Sequence, residues 1–416
     1  MWKLLLSRIR RHPTFSPEPR KPLFISLFVV ANINYRNMSD KIESTEEPKK
    51  PLLIVSESMR NADMYYATRF LAADPFIYLR VHHELRDILI VSQMEYERAK
   101  KESIVKEVRS TLDYGYDLKM EELIIKILRE EHVETIEVPR YFHLYTAEEL
   151  RKNGIEVVPV DEMVLTKERE IKDEQEITYM KNAQRACEKA MALALTIIKK
   201  SAVNGNVLME NGGILTAERI RAYIEHALID AGCTCDGGEP IVACGKKAAD
   251  PHFSGSGPIF ANEPIIIDIF PRLKVERYFA DMTRTIVKGA PGKEIKEMYE
   301  AVLEAQNASL ALVKEGVTCK EVHNSVCDLF EERGYETLRK GGKKGFIHST
   351  GHGVGLTVHE SPKVGDNDYE LRKGNVITIE PGLYDPEVGG VRLEDMVLVL
   401  KNGCENLTRL EKKLPV

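Results

Sequence analysis

Short apolar runs alternate with charged, amphipathic stretches between residues 50 and 165. The runs LLIVSE, DILIVS, EEHVETIEVP and GIEVVPV have the apolar and β-branched content of strands. The stretches QMEYERAKKES and YTAEELRKNG read as helices, and the second has a threonine cap and a glycine stop. Strands that alternate with helices predict an α/β layer domain over residues 50–165.

The pattern changes over residues 166–416. The stretch KEREIKDEQEITYMKNAQRACEKAMALALTIIKK keeps apolar residues at helical spacing from Ile177 to Ile197, which predicts one long amphipathic helix. Three further helices are indicated by TAERIRAYIEHALIDAG, KEIKEMYEAVLEAQNASLALVKEG and CKEVHNSVCDLFEERG. The strand-like runs are PIIIDIF, YFADMTRTIVKG, NVITIEPGLY and GVRLEDMVLVL. Long helices with non-alternating strands predict an α+β fold for this larger domain.

Residues 1–49 fit neither pattern. They begin with a basic segment, and PLFISLFVVANI then stays apolar for about twelve residues, where a bilayer span needs about 20. A signal peptide is the alternative, but no clean small-residue cleavage site follows. We therefore expect a poorly ordered extension, with Met38 as an alternative start, and no membrane attachment.

Composition excludes several classes of protein. Of the 416 residues, 43% are hydrophobic and 30% charged, a mixture typical of globular proteins rather than disordered ones. The net charge of −6 is spread along the chain and provides no basic face for nucleic acid. Seven cysteines, an odd number, do not suggest a disulfide framework, so a reducing, cytoplasmic location is expected.

Each strand-like run of the larger domain carries a carboxylate among apolar residues. These four are Asp268, Asp281, Glu380 and Glu394. An ionised carboxylate in such surroundings costs several kcal/mol unless it is paired or bound to metal. A single one could face solvent from an edge strand. Four in one domain indicate a shared site.

The segment HSTGHGVGLTVHESP holds three of the eleven histidines. Glycine at residues 351, 353 and 355 disfavours a helix and favours extended, closely packed backbone. Four carboxylates with one neutral imidazole carry a charge of −4, which two divalent cations would balance. A donor set this rich in oxygen favours Mn²⁺, with Co²⁺, Fe²⁺ or Zn²⁺ as alternatives.

These motifs resemble the pita-bread metallopeptidases of family M24, a group that includes prolidase, Xaa-Pro aminopeptidase and methionine aminopeptidase. The resemblance runs from about Arg169 to the C-terminus and rests on DMTRT, HSTGHGVGLTVHESP, EPGLY and VRLED, in that order. It implies a pita-bread catalytic domain, two divalent metal ions and a homodimer. It also implies that Asp281 and Glu394 bridge the ions. The implied metal ligands are Asp268, Asp281, His352, Glu380 and Glu394.

Two further positions are similar to the proline-directed branch of the family. These are His348, four residues before the ligand histidine, and Arg392, two before the last glutamate. The smaller domain resembles the creatinase/prolidase N-terminal domain. The resemblance implies hydrolysis of the first bond of short peptides with proline at the second position. Glu380 would then shuttle a proton and His359 would stabilise the intermediate. The implied substrate-binding residues are His252, His348, His359 and Arg392, with His348 and His359 also catalytic.

Some interpretations stay open at this point. His348 could be structural, and His359 could simply pair with Glu360. The residues between Asp268 and Asp281 outnumber those of the family by two, which predicts a longer or bulged hairpin at PRLKVER. The glycines between the histidines are expected to leave room for substrate. Rival functions are hydrolysis of another amide, such as a methionine N-terminus or an acylated amino acid, and non-catalytic peptide binding. The sequence does not separate a dipeptidase from an aminopeptidase.

Overall fold

The computed structural model describes residues 50–81, 86–160 and 164–416. Residues 48–416 form one compact unit. The predictions for residues 1–49 lie outside the described residues. Within the described ranges, every helix is too short or too polar to cross a bilayer.

Six described strands of the smaller α/β region form one mixed sheet in the order β4-β3-β2-β1-β5-β6. Alternate side chains of each strand fill two separate apolar layers. Leu53, Ile77 and Ile88 face one layer, whereas Leu52 and Tyr78 face the other, as expected for a sheet covered on both sides. The elements are β1 (Leu52–Ser56), α1 (Ala62–Thr68), β2 (Phe76–Val81), β3 (Arg86–Val91), α2 (Gln93–Glu102), β4 (Glu107–Ser110), α3 (Met120–Glu130), β5 (Thr135–Pro139), α4 (Leu144–Lys152) and β6 (Glu156–Val160).

The long helix predicted after this sheet is interrupted. It divides into α5 (Val164–Glu170) and α6 (Glu174–Lys200). Asp173 caps α6 by accepting from the Glu176 backbone N–H at 2.7 Å, and the Glu176 carboxylate accepts from the Asp173 N–H at 2.9 Å. This capping box starts a new helix where the pattern alone continued the old one.

The larger region combines helices with antiparallel sheets and confirms the predicted α+β class. In the described part of the chain, one sheet has the order β11-β12-β14 and another the order β16-β15-β17-β20-β21. Helices α6 and α7 cover one core, and α8 and α9 cover another. The helices are α7 (Ala217–Asp230), α8 (Lys293–Leu312) and α9 (Cys319–Glu332). The strands are β7 (Ala202–Asn204), β8 (Val207–Glu210), β9 (Gly213–Ile214), β10 (Cys233–Thr234), β11 (Ile241–Cys244), β12 (Pro264–Ile269), β13 (Arg272–Leu273), β14 (Met282–Val287), β15 (Gly351–Gly353), β16 (Glu360–Val364), β17 (Val376–Ile379), β18 (Gly382–Asp385), β19 (Gly389–Arg392), β20 (Asp395–Leu400) and β21 (Gly403–Asn406).

Two runs that the pattern predicts as single strands are broken. In NVITIEPGLY, β17 ends at Ile379 and β18 begins at Gly382. In GVRLEDMVLVL, β19 ends at Arg392 and β20 begins at Asp395. The breaks contain Glu380 and Glu394, so both glutamates lie where the chain leaves one sheet for another.

The hairpin between β12 and β14 is extended, as its length predicts. Its residues form β13, which pairs with β10 rather than remaining a simple bulge. Arg272 also bridges to Phe279 across the hairpin. Near its tip Arg277 adopts a left-handed conformation with φ 69°, which is uncommon for a long side chain.

Candidate metal centre and active site

Two carboxylates come from the antiparallel pair β12 and β14. Asp268 lies opposite Thr283 in this pair, and Asp281 directly precedes β14. The strands themselves, PIIIDI and MTRTIV, are buried throughout, and the buried positions of the second include the polar residues Thr283, Arg284 and Thr285. Asp268 is 8% exposed and Asp281 is 4% exposed, so neither carboxylate is solvated as in free solution.

The other sheet supplies an imidazole and two more carboxylates. His352 is the central residue of β15, and β15 pairs with β17. In the pair β17 and β20, Ile379 lies opposite Asp395. Glu380 follows the first of these residues and Glu394 precedes the second, so the register brings the two glutamates to one end of the sheet. The Glu394 backbone N–H donates to Thr283 O at 3.1 Å, which joins this end to β14.

Side-chain atoms of Asp281, His352 and Glu394 all lie within 4.8 Å of one another. The His352 Nε2 atom is 3.7 Å from Asp281 Oδ2 and 3.4 Å from Glu380 Oε1. The structure therefore gathers four of the five predicted ligand side chains around one point. The ligand role itself stays a prediction.

The fifth predicted ligand, Asp268, is held by an arginine. Arg392 Nη2 donates to Asp268 Oδ2 at 2.7 Å. The other oxygen, Oδ1, is buried and has no hydrogen-bond partner among the described residues. A buried carboxylate oxygen without a donor is costly, so this atom is a candidate ligand for a cation.

The charges of the cluster also fit a cation. Burial, reinforced by neighbouring carboxylates, raises the pKa of Asp281, Glu380 and Glu394 above their ordinary values. Burial and the nearby His359 lower the pKa of His352 to about 4, so its ring is neutral near pH 7. Its Nδ1–H donates to Gly353 O at 3.0 Å, which leaves the Nε2 lone pair free to bind metal. Carboxylate oxygens with one imidazole suit hard or borderline divalent ions.

The other predicted histidines lie around this cluster. The rings of His352 and His359 meet edge to face with centroids 4.3 Å apart. His348 is further from the carboxylates and accepts at Nε2 from Tyr384 Oη at 3.0 Å. His252 is exposed, yet its charge helps to lower the pKa of both His348 and His359, which places it near both rings. Their substrate and catalytic roles stay predictions.

Tyr384 was missed by the sequence interpretation. Its hydroxyl accepts from Arg392 Nη1 at 2.8 Å and contacts His348, so it joins the arginine that holds Asp268 to the predicted substrate histidine. Burial raises the pKa of this hydroxyl to about 12, so it stays protonated. In the sequence, Tyr384 is marked only by its place at the end of the EPGLY motif. The hydrophobic pattern gives no chemical reason to assign it a role.

A buried ion-pair network next to His359 was also missed. Glu360 lies 2.5 Å from Lys172 Nζ and 2.5 Å from Arg169 Nη2. Arg169 Nη1 continues to Asp63 of α1 at 2.8 Å. Among the described residues, Glu360 pairs with these two cations, and no hydrogen bond joins it to His359.

The expectation that the three glycines between His348 and His359 leave room for substrate is wrong. A Cβ atom on Gly351 would lie 1.9 Å from Thr378 O, and one on Gly353 would lie 2.3 Å from Ser361 O. One on Gly355 would lie 2.2 Å from the Glu360 carboxylate. These glycines allow neighbouring backbone and the buried Glu360 to approach the segment closely.

Comparisons with known proteins agree with this geometry. The model of metallopeptidase family M24 matches residues 178–401, which contain all five predicted ligand residues. The Xaa-Pro dipeptidase of Pyrococcus horikoshii is 34% identical over 330 residues, covering 78% of this chain and 85% of that protein. The solved prolidase of Pyrococcus furiosus has 30% identity and a TM-score of 0.73, covering 87% of this chain and 97% of that one. The X-Pro aminopeptidase structure from Thermotoga maritima has 27% identity and a TM-score of 0.74, with 88% and 97% covered.

Proposed function

Since the chain belongs to metallopeptidase family M24, we propose that it hydrolyses the first peptide bond of short peptides whose second residue is proline. It is a metallo-exopeptidase with the pita-bread catalytic fold. Its relatives include proteins named Xaa-Pro dipeptidase and prolidase, which support this substrate class. The observation that carries the proposal is the convergence of three acidic side chains and one neutral imidazole beside the predicted substrate residue His359.

Divalent metal is a property of the family, and the donor set of this chain fits it. We propose two ions, with Mn²⁺ preferred and Co²⁺, Fe²⁺ or Zn²⁺ as alternatives, because oxygen donors predominate. The residues that would hold them are Asp268, Asp281, His352, Glu380 and Glu394. When bound, such ions polarise a carbonyl group and lower the pKa of water.

Different side chains around the cluster would take different catalytic roles. Glu380 would accept the proton released when water attacks the carbonyl carbon, and would return it to the departing proline nitrogen. Its carboxylate is next to His352, at 3.4 Å, and is therefore close to the reacting groups. His359 would donate a hydrogen bond to the oxygen that gains charge in the tetrahedral intermediate.

The proposed substrate contacts differ in how well the geometry supports them. His348, His359 and His252 surround one region, and His359 and His252 are exposed enough to meet a ligand. The three guanidinium nitrogens of Arg392 already donate to Asp268, Tyr384 and Thr283. We therefore propose that Arg392 acts on the substrate through these residues, although the sequence predicted direct contact.

Three further proposals concern the domain boundary, the oligomeric state and the location of the protein. We propose that the smaller domain ends near residue 165 and the catalytic domain begins at residue 166. The resemblance to the family supports a homodimer, which sedimentation analysis would test. All seven cysteines are free thiols, which supports a reducing, cytoplasmic location.

A direct comparison of substrates tests the proposed function. Purified protein with Mn²⁺ is assayed on Xaa-Pro, Xaa-Pro-Yaa, methionine-initiated peptides and acylated amino acids. We expect hydrolysis only where proline is second, and the ratio of the first two rates assigns dipeptidase or aminopeptidase activity. Faster cleavage of the methionine or acyl substrates would contradict the proposal. Chelator-insensitive binding without turnover would instead indicate a non-catalytic peptide-binding protein.

A further inference from the structure

A buried glutamine lies on the apolar face of α8. Buried residues recur at helical spacing along this helix, and Val302, Ala305 and Gln306 form part of this face. Gln306 is fully buried, and its Oε1 atom has no hydrogen-bond partner among the described residues. Burial of an amide costs free energy unless its polar atoms are bonded, so any role of Gln306 depends on its Nε2 group.

The Nε2 group of Gln306 donates to two backbone carbonyls at separate breaks in the strands. One hydrogen bond goes to Ile379 O at 2.9 Å and the other to Leu393 O at 3.0 Å. Ile379 is the last residue of β17, and Leu393 lies between β19 and β20. The next residues in the chain are Glu380 and Glu394. Both acceptors therefore belong to the peptide groups that lead into predicted metal ligands.

The N–H groups of the same two peptide groups are also bonded. The Glu380 N–H donates to Thr350 O at 2.7 Å, and the Glu394 N–H donates to Thr283 O at 3.1 Å. Thr350 belongs to the histidine segment and Thr283 to β14. The two N–H groups thus have different acceptors, whereas the two carbonyls share the amide of Gln306.

We propose that Gln306 is a positioning residue that fixes where Glu380 and Glu394 enter the metal cluster. This inference rests on the proposed function, since it concerns the proposed metal ligands. Both glutamates lie between strands, so strand pairing does not fix them, and one amide bonded to both carbonyls sets the relative position of the two backbones. Outer partners of this kind orient metal ligands and tune the affinity for the ion. A neutral amide does so without adding charge to the cluster.

Replacement of Gln306 by methionine tests this role. Methionine is similar in length and suits an apolar layer, but it donates no hydrogen bond, so both carbonyls lose their shared donor. We expect the affinity of the full-length protein for Mn²⁺, measured by calorimetric titration, to fall about 10–100-fold. The visible spectrum of the protein loaded with Co²⁺ should also shift, because it depends on the arrangement of the ligands.

Gln184 on α6 provides the matched control. It is fully buried, its Nε2 donates to Thr408 Oγ1 at 3.0 Å, and its Oε1 also has no partner among the described residues. Gln184→Met should lower the stability of the metal-free protein in urea but leave the Mn²⁺ affinity and the Co²⁺ spectrum as in the wild type. If Gln306→Met behaved in the same way, its role would be packing alone and the proposal would be overturned.

Gln306→Asn separates hydrogen bonding from packing. Asparagine is one methylene shorter and leaves a gap, so on packing alone it should be the more damaging replacement. It keeps an amide donor, however, and its Mn²⁺ affinity should therefore lie between those of the wild type and Gln306→Met. An affinity below that of Gln306→Met would contradict the proposal. If Gln306→Met did not fold, Gln306→Asn would be compared with Gln184→Asn, and equal Mn²⁺ affinities would overturn the proposal.

Failure of the proposed function would give a different result. A wild-type protein that bound Mn²⁺ but did not cleave Xaa-Pro peptides would refute that function, and the affinity comparison would still decide the role of Gln306. A wild-type protein that bound no Mn²⁺ would refute both.

Discussion

Arg392 Nη2 donates to Asp268 Oδ2 at 2.7 Å, while the other oxygen of the same carboxylate is buried without a partner among the described residues. The two oxygens therefore have different tasks. One is fixed by a cation on β19, and the other is a candidate ligand for a metal cation. Arg392 also donates to Tyr384, so hydrogen bonds connect the predicted metal ligand Asp268 to His348.

Replacement of Arg392 should weaken metal binding. In Arg392→Gln, Asp268 loses the cation that orients it, and we expect the affinity for Mn²⁺ to fall about 10–100-fold, as when other outer partners of ligands are removed. The unpaired buried carboxylate should also lower the free energy of unfolding of the metal-free protein by about 3–5 kcal/mol. Calorimetric titration and urea denaturation measure the two effects. Arg333→Gln, at a 42% exposed ion pair, is the control, and an unchanged Mn²⁺ affinity in Arg392→Gln would contradict the role.

Replacement of Glu380 should remove turnover and leave the fold intact. Glutamine has nearly the same shape but does not accept a proton, so kcat on Ala-Pro should fall about 10²–10⁴-fold. Steady-state kinetics with saturating Mn²⁺ measure this, and circular dichroism monitors the fold. Glu387→Gln, at an 85% exposed side chain, should behave as wild type. Normal turnover by Glu380→Gln would exclude the proton-shuttle role.

The network of Glu360 should stabilise the protein in a pH-dependent way. Burial raises the pKa of Glu360, but Lys172 and Arg169 lower it more, so the folded value is below the ordinary 4.5. The stabilisation is therefore complete above pH 4.5 and is lost as the pH falls through the lower, folded value. Glu360→Gln should cost about 3–5 kcal/mol at pH 7, because two buried cations lose their partner. In urea denaturation, the difference from wild type should shrink below pH 4.5, and a constant difference would contradict this account.

The glycine segment should not tolerate a methyl group. In Gly351→Ala, the added Cβ would lie 1.9 Å from Thr378 O, so β15 and β17 would have to separate. We expect a loss of about 1–3 kcal/mol in the free energy of unfolding, typical of overpacking, together with weaker metal binding because His352 is the next residue. In Gly213→Ala, the new Cβ would lie 3.8 Å from Glu210 O, an ordinary contact, so this control should be nearly neutral in the same denaturation assay.

The hydrophobic pattern and the motifs of the sequence predicted the fold class and most of the site, but not where the strands end. The α+β class followed from periodicity, and the family motifs pointed to five side chains, four of which the structure gathers around one point. The strand breaks at Glu380 and Glu394 were missed because an apolar run does not show where the chain leaves a sheet. Tyr384 was missed for a similar reason.

The sequence also did not predict ion pairs between residues that are far apart along the chain. Arg169 and Lys172 belong to the charged start of the stretch predicted as one amphipathic helix, and both are buried against Glu360, 191 and 188 residues away in sequence. Periodicity describes one face of one element, whereas these ion pairs depend on how distant elements meet.

Hydrolysis of Ala-Pro by one preparation before chelation, after removal of all transition metal, and after addition of Mn²⁺ tests the central claim most directly. Bound metal per chain is measured at each step. If clustered carboxylates and His352 hold the ions that activate water, turnover should fall to background on chelation and return as the metal is restored. Full-rate hydrolysis by the metal-free protein would contradict the account.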